Sequence, residues 1–283
     1  MVISEKELAR LQTELETACR RAGDVIREFY ENGSAKKTIK ADNTPVTDAD
    51  YAANDILQRD LQSVFPGTRI VSEEDDTDPG ADDVFLTIDP LDGTQEFIDG
   101  TWGFSTKAML IVRQRPWLGA VHSPMHGITY ASRLNGPAER ITATGQRRIM
   151  RVREPSPDRP LKALFNMKSN GPERYAALRK EFSKRSVFIS GRASHTPGLP
   201  RNLRVAEGSA DLHIGRDGYP WDLAADELCV LNAGGDFFSL ETGQTLTYGR
   251  PRTLMGPYIA TNDRTLRTKL FPNAKGIDPV WTF

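Results

Sequence analysis

The sequence has few cysteines, no long apolar run and almost no net charge, and each absence excludes a class of protein. Its 283 residues include only 2 Cys, Cys19 and Cys229. This count favours reduced thiols over a disulfide framework, and hence a cytoplasmic location. The first residues mix acids with apolar side chains, which predicts neither a signal peptide nor a membrane span. With 37 Lys and Arg against 38 Asp and Glu, no overall field attracts nucleic acid polymers or an anionic membrane.

What the sequence does contain is the pattern of a globular protein with both helices and strands. Apolar residues recur every three or four positions from 8 to 29, which predicts a long helix ending before Gly33. A second helix is predicted from Thr47 or Asp48 to Val64. Short β-rich runs then predict a sheet from the segments 68–72, 84–88, 105–112, 117–123 and 128–132.

A proline-rich, charged stretch at 153–162 is the predicted crossing between two halves. The boundary near Arg153 gives an N-terminal α+β half, 1–152, and a C-terminal half, 153–283. In the second half, predicted strands alternate with predicted helices, as in an α/β arrangement. The strands are 161–165, 186–190 and 210–214, and the helices are 172–182, 201–207 and 221–233.

The densest chemical signal is the hexapeptide DPLDGT at 89–94, which follows the apolar run 84–88. Asp89 and Asp92 at a strand end can share one Mg²⁺, a hard cation that takes oxygen ligands, and the Leu91 carbonyl can supply another oxygen. A helix beginning after Gly93 directs unpaired N–H groups to the same place, where they bind phosphate. An ordinary Asp-Gly turn is the alternative interpretation.

Further acids stand at predicted strand ends or helix starts, in Thr47–Asp50, in Ser72–Asp75 and at Asp222. Each cluster alone is explained as a surface turn, a helix cap or an acid favoured by the helix dipole. Together they fit a carboxylate cage, which is tolerable in a protein interior only if metal ions offset the like charges. The conjunction therefore predicts a metal site.

These blocks resemble the inositol monophosphatase family of Mg²⁺-dependent, lithium-sensitive phosphatases. The matching blocks are KADNTPVTDAD (40–50), SEED (72–75), DPLDGTQEF (89–97) and PWDLAADE (220–227). The resemblance implies an α/β fold, a layered αβαβα sandwich of the inositol monophosphatase or fructose-1,6-bisphosphatase type, with the catalytic pocket between the halves. Many relatives are homodimers, so a homodimer is a further possibility.

Carried over position by position, the resemblance implies two or three Mg²⁺ ions whose ligands are Glu73, Asp89, the Leu91 carbonyl, Asp92 and Asp222. Glu74 supports these ligands or binds weakly. Asp50 and Thr94 orient and deprotonate the attacking water. The N–H groups of Gly93 and Thr94 hold the phosphate, and Asp222 also contacts the substrate.

Within the family, the motifs are most similar to the 3′(2′),5′-bisphosphate nucleotidases, with Thr44 and Gln95 as variants. Inositol monophosphatases carry an acid seven residues before the Trp-Asp aspartate, where this chain has Gly215. The nucleotidase pattern is incomplete as well, because the segment 191–208 lacks its usual Lys. Candidate contacts to the substrate are Lys40, Arg192, His195, Arg201 and Arg216. An alternative interpretation of the Arg and His residues is that they are solvated surface groups.

The resulting hypothesis is an enzyme that hydrolyses a small phosphomonoester, with 3′-phosphoadenosine 5′-phosphate as the first substrate. Inositol 1-phosphate, histidinol phosphate and fructose 1,6-bisphosphate are the alternatives. A catalytically silent metal- or phosphate-binding protein is the alternative of another class, and the pair Asp50 and Thr94 argues against it. A Ca²⁺-stabilised module is disfavoured because the acids are scattered rather than gathered in one loop.

Overall fold

The computed structural model describes residues 4–40, 44–75, 82–165, 186–190, 200–250 and 252–272, with 186–190 described by their backbone alone. The helices are α1 (Glu5–Asn32), α2 (Asp48–Val64), α3 (Thr94–Ile98), α4 (Arg201–Ala206), α5 (Pro220–Asn232) and α6 (Thr265–Leu270). The strands are β1 (Lys37–Ile39), β2 (Pro45–Thr47), β3 (Arg69–Ser72), β4 (Val84–Asp92), β5 (Ser105–Val112), β6 (Arg115–Ser123), β7 (Ile128–Arg133), β8 (Glu139–Ile141), β9 (Arg147–Ile149), β10 (Leu161–Phe165), β11 (Ser186–Ser190), β12 (Leu212–Gly215), β13 (Asp236–Ser239) and β14 (Tyr258–Thr261).

Local chemistry sets the ends of the two long helices. The Ser4 hydroxyl accepts a hydrogen bond from the Glu7 N–H at the start of α1, and Gly33 ends that helix in the left-handed conformation with φ of 59°. Glycine takes this conformation without steric cost. Thr47 caps α2 by accepting from the Ala49 N–H. Both helices therefore lie where the apolar spacing and the capping residues predict.

The strands form two large sheets and one small hairpin. The seven-stranded sheet has the order β3-β4-β5-β6-β7-β8-β9, and the five-stranded sheet has the order β11-β10-β12-β14-β13. In the larger sheet β3 runs parallel to β4, and the other neighbours are antiparallel. The smaller sheet is mixed, since β10 pairs in parallel with β11 and β12 whereas β14 is antiparallel to β12 and β13.

Helices and sheets stack in the order αβαβα. Successive residues of a strand face opposite sides of its sheet, and on β4 Leu86 joins the apolar core with α1 and α2 while Phe85 joins the core with α4 and α5. Residues of the five-stranded sheet also line this second core, so α4 and α5 lie between the two sheets. Leu266 and Leu270 of α6 pack against the far face of the smaller sheet. This is the predicted layer order.

The structure adds elements that the sequence patterns did not predict and lengthens one that they did. The hairpin β1-β2 and the strands β8, β9, β13 and β14 were not predicted, and β4 continues to Asp92 instead of ending at Ile88. The predicted helix 172–182 lies outside the described residues, and the division into halves near Arg153 stays a prediction. None of the helices in the described ranges has the length and apolar character needed to cross a bilayer.

The packing of α5 on the large sheet depends on Gly119 of β6. A Cβ at this position would lie 2.9 Å from Ala225 Cα and 3.0 Å from Ala225 Cβ, so Gly119→Ala forces α5 away from the sheet. We expect this change to lower the free energy of unfolding by about 1–3 kcal/mol, as overpacked cores do. Urea denaturation measures it.

The matched control is Gly256→Ala. Gly256 is exposed, and a Cβ there would meet only the flexible end of the Glu241 side chain, at 3.1 Å. This variant should unfold as the natural protein does. Equal stability of the two variants would contradict the packing argument.

Candidate active site

The end of β4 carries Asp89 and Asp92, and a register shift lies between them. Asp89 stands opposite Lys107 on β5 and Asp92 stands opposite Ser105, with the irregularity in the intervening residues. Side chains three residues apart on a regular strand point to opposite faces. A β-bulge re-aims one of them. The irregular pairing therefore lets both carboxylates reach one site.

Asp222 completes the cluster from the first turn of α5. One carboxylate oxygen from each of Asp89, Asp92 and Asp222 lies within 4.8 Å of the others. Asp222 Oδ2 also accepts a hydrogen bond from the Tyr219 N–H at 2.6 Å, so the residue caps its helix while facing the other two acids. Because α5 packs against the large sheet, Asp222 meets acids that lie about 130 positions earlier in the sequence, as a carboxylate cage requires.

The three aspartates repel one another, with Asp89 buried and the other two partly buried. Burial and, after it, the charge of Asp92 together raise the pKa of Asp222 to about 6. The pKa of Asp89, which is 1% exposed, lies well above its usual value because of burial and of the nearby charges on Glu73, Asp92 and Asp222. In the charged state neither oxygen of Asp89 meets a hydrogen-bond donor in the described part of the structure. An all-oxygen set with unpartnered buried carboxylate atoms fits a hard divalent cation.

Glu73 borders this cluster at the end of β3. Its N–H donates to the Ile88 carbonyl at 3.1 Å. The pKa of Glu73 is raised to about 7, because burial and the charges of Asp222 and Glu74 raise it by more than Lys40 lowers it. Glu73 is therefore close enough to share the field of the three aspartates, although it lies outside the group whose oxygens meet within 4.8 Å.

Lys40 contacts these acids directly. Its Nζ lies 2.7 Å from Glu74 Oε2 and 3.9 Å from Glu73 Oε1. The Glu74 side chain is 3% exposed, and its role in supporting the metal ligands stays a prediction. Lys40, predicted as a substrate contact, thus also balances two carboxylates at the rim of the site.

Asp50 and Thr94 form the predicted pair. Thr94 Oγ1 lies 3.0 Å from Asp50 Oδ1 and 3.1 Å from the Leu91 carbonyl oxygen. Asp50 Oδ2 accepts hydrogen bonds from the Thr47 N–H at 2.8 Å and the Thr47 hydroxyl at 2.7 Å. Burial raises the pKa of Asp50, while the Thr47 and Thr94 hydrogen bonds lower it. The two interpretations of Asp50, helix cap and partner of Thr94, therefore both hold.

Gly93 joins β4 to α3 in a conformation that residues with a side chain do not fit. Its φ is 93°, and a Cβ there would lie 2.8 Å from the Gly103 carbonyl oxygen. Helix α3 begins at Thr94, as predicted, and its first N–H groups lie beside Asp92 in the chain. The backbone is thus turned sharply at the position where the sequence predicts phosphate binding.

The other predicted substrate contacts are Arg192, His195, Arg201 and Arg216. Arg216 is exposed and its guanidinium contacts the neighbouring Asp217 at 2.8 Å. Arg201 begins α4. Arg192 and His195 lie outside the described residues.

Lys107 is the site residue that the sequence analysis missed. It is 3% exposed, and its Nζ lies 2.9 Å from Asp92 Oδ2 and 3.8 Å from Asp226 Oδ2. A signal for it exists in the sequence, since a lysine stands inside the otherwise uncharged strand 105–112. Lysine is almost never fully buried unless it is paired.

The fold agrees with comparisons to known proteins. The model of the inositol monophosphatase family matches residues 7–275. The chain belongs to the inositol monophosphatase family. As a member it is a phosphatase, a phosphoric monoester hydrolase, which confirms the predicted family and enzyme class.

Curated relatives in this family cover most of the chain. The 3′(2′),5′-bisphosphate nucleotidase CysQ of Aggregatibacter actinomycetemcomitans is 33% identical over 253 residues, which cover 87% of this chain and 90% of that protein. The protein of the same name in Escherichia coli (strain K12) is 30% identical over 255 residues, covering 84% and 94%.

Solved structures of the family share the fold. The extragenic suppressor protein suhB of Bartonella henselae has a TM-score of 0.75 at 20% identity, over 94% of this chain and 98% of that chain. CysQ of Bacteroides thetaiotaomicron has a TM-score of 0.73 at 22% identity, over 89% and 97%. The predicted inositol monophosphatase type of sandwich is confirmed.

The raised pKa values predict how divalent-metal binding depends on pH. Glu73 titrates at about 7 and Asp222 at about 6 in the folded, metal-free protein, but at about 4 when unfolded. Between these values the folded state holds protons that the unfolded state has lost, so these groups destabilise the metal-free protein as pH rises. A bound cation replaces the protons. We therefore expect the stabilisation by saturating Mg²⁺ over EDTA-treated protein to grow from about pH 5 to about pH 7.5 in urea denaturation.

The difference in stability between the Mg²⁺-saturated and the EDTA-treated protein does not contain the titration of groups away from the site. His122 and His213, whose pKa values burial lowers to about 4 and about 3, contribute equally with and without Mg²⁺. The control variant Glu73→Gln/Asp222→Asn should show a weaker pH dependence, and the part that remains comes from Asp89. A difference that stays constant over this range in the natural protein would contradict the assignment of these two acids.

Proposed function

We propose that the protein is a Mg²⁺-dependent phosphomonoesterase whose substrate is a 3′(2′),5′-bisphosphate nucleotide, with 3′-phosphoadenosine 5′-phosphate as the first candidate. The observation that carries the proposal is the meeting of Asp89, Asp92 and Asp222 within 4.8 Å, next to the hydroxyl–carboxylate pair of Thr94 and Asp50. A site that only binds metal has no use for that pair. The products are the nucleoside monophosphate and inorganic phosphate.

The proposed metal ligands are four side-chain carboxylates and one backbone carbonyl: Glu73, Asp89, Asp92, Asp222 and the Leu91 carbonyl. When bound, Mg²⁺ supplies charge neutralisation for the phosphate and lowers the pKa of water. The unpartnered oxygens of Asp89 support this assignment. Two or three ions remain the proposed number, a homodimer the proposed assembly and the cytoplasm the proposed location.

The chain's own part in the reaction is to place the water and hold its proton. The Thr94 hydroxyl is fixed between Asp50 Oδ1 and the Leu91 carbonyl oxygen. Its lone pairs are therefore oriented to accept a hydrogen bond from a water molecule. A proton passed through the hydroxyl comes to rest on Asp50 Oδ1. Burial favours this step because it raises the Asp50 pKa above its usual value. The Gly93 and Thr94 N–H groups are the proposed phosphate donors.

Features around the cluster support a nucleotide over a polyol. A Cβ at Gly215 would lie 2.1 Å from Tyr258 Cζ, so the Tyr258 ring fills the space in which inositol monophosphatases carry an acid. Tyr219, beside Asp222, is exposed and stacks on Trp221 with ring centroids 4.7 Å apart. Aromatic faces stack nucleobases, whereas a polyol requires hydrogen-bonding groups. The curated relatives at about 30% identity, such as that of Escherichia coli, are named as bisphosphate nucleotidases.

A phosphate-release assay with Mg²⁺ tests the substrate. We expect 3′-phosphoadenosine 5′-phosphate to have a higher kcat/KM than inositol 1-phosphate, histidinol phosphate or fructose 1,6-bisphosphate. Tyr219→Leu removes the ring but keeps the backbone N–H that donates a hydrogen bond to Asp222. This variant should therefore raise KM for the nucleotide and leave KM for the other compounds unchanged. Preference for one of the other three excludes the nucleotidase assignment. No release from any phosphoester supports the catalytically silent alternative.

Variants at Thr94 and Asp92 separate water activation from metal binding. Thr94→Val keeps the shape and removes the hydroxyl, so we expect kcat to fall by about 10²–10⁴-fold with Mg²⁺ affinity unchanged in calorimetry. Thr94→Ser keeps the hydroxyl and should retain most of the activity. Asp92→Asn should lose both turnover and Mg²⁺ affinity without unfolding the protein.

The result against this mechanism is specific. If Thr94→Val and Thr94→Ser have the same kcat, the hydroxyl has no part in moving the proton. Activation by Ca²⁺ as strong as that by Mg²⁺ would also count against it, because the proposed chemistry depends on the tight geometry of the smaller ion.

A further inference from the structure

A buried lysine shares the acid cluster with the proposed metal ions. Lys107 lies on β5 directly opposite Asp89 of β4, and its ammonium is 2.9 Å from Asp92 Oδ2. The same ammonium donates to the backbone carbonyl of Asp222 at 2.8 Å. Lys107 therefore contacts two of the three clustered aspartates and pairs in register with the third.

The surroundings of Lys107 keep it charged. Its ammonium lies between two carboxylates, 2.9 Å from Asp92 Oδ2 and 3.8 Å from Asp226 Oδ2, and such pairing is what allows a lysine to be buried with its charge. Asp226 is itself buried, with Oδ2 3.8 Å from the ammonium and accepting from Asn202 Nδ2 at 3.0 Å. Carboxylate oxygens thus hold the ammonium on both sides.

The ammonium competes with a metal ion for the same oxygens. Asp92 Oδ2 accepts from Ser105 Oγ at 3.1 Å as well as contacting Lys107. Asp92 would hold a metal ion with its other oxygen, Oδ1, or would have to share Oδ2 between the ion and the ammonium. In either case a unit positive charge next to the ligands opposes a divalent ion.

We propose that Lys107 is a positioning residue that acts as a built-in cation of the three-aspartate cluster, holding Asp92 and the first turn of α5 in place without metal and lowering the affinity of the cluster for Mg²⁺. This inference rests on the metal site proposed above. It implies that the metal-free protein keeps an ordered site, and that divalent ions exchange from the cluster more readily than its three carboxylates alone would allow.

Calorimetric titration with MgCl₂ tests the proposal on EDTA-treated protein. Lys107→Met removes the charge at similar volume, and we expect its Kd for Mg²⁺ to fall about tenfold or more, since one nearby repulsive charge is lost. Urea denaturation should show that the variant is less stable than the natural protein without metal, because Asp226 and Asp92 lose their partner. Saturating Mg²⁺ should reduce this difference in the free energy of unfolding between the variant and the natural protein. Lys107→Gln keeps a hydrogen-bond donor and serves the same test if the Met variant does not fold.

The control is Arg267→Met, which breaks a buried ion pair with Asp236 whose atoms lie 2.6 Å apart. It should lower stability equally with and without Mg²⁺ and leave the Kd unchanged. The same behaviour from the Lys107 variants would make that lysine merely structural and overturn the proposal. A natural protein that binds no Mg²⁺, or binds it unaffected by Asp92→Asn, defeats the proposed metal site instead.

Discussion

Mutual repulsion among buried carboxylates is the constraint on which the rest of this structure depends. Asp89, Asp92 and Asp222 come within 4.8 Å of one another, and Asp89 has no donor on either oxygen in the described residues. Such an arrangement is unfavourable unless cations or protons are present. The raised pKa values of Asp89 and Asp222, the buried Lys107 and the pairing of Lys40 with Glu74 are different responses to this repulsion.

The layered fold makes the arrangement possible. Helix α5 lies between the two sheets, with its first turn directed to the end of β4, so Asp222 meets acids from the N-terminal half of the chain. The close approach of Gly119 to Ala225 fixes the depth of that helix. Packing energy distributed over the apolar core can in this way support a local cluster that is electrostatically costly, because the total stability of a domain is a small difference between large opposing contributions.

Several residues serve local structure and the site at once. Asp50 closes a capping box with Thr47 and contacts Thr94, while Asp222 caps α5 and joins the cluster. The helix-start interpretation and the functional interpretation of such acids are therefore not alternatives. A capping hydrogen bond fixes the rotamer of a carboxylate, and a fixed rotamer is what a site with defined geometry needs.

The sequence by itself determined the long helices, most strands of the large sheet, the acidic blocks and the family, because periodicity, caps and short motifs are local properties. Only the tertiary structure decided that β4 continues through an irregular pairing to Asp92, that Glu73 lies beside the closest group of acids, and that Lys107 supplies a buried charge. The short strands β13 and β14 were likewise missed. The irregular pairing at Asp92 and the position of Glu73 arise from contacts between residues far apart in the chain, for which a single sequence carries no local signal. Lys107 has a local signal, as a lysine inside an otherwise uncharged strand, but only the fold supplies its carboxylate partners.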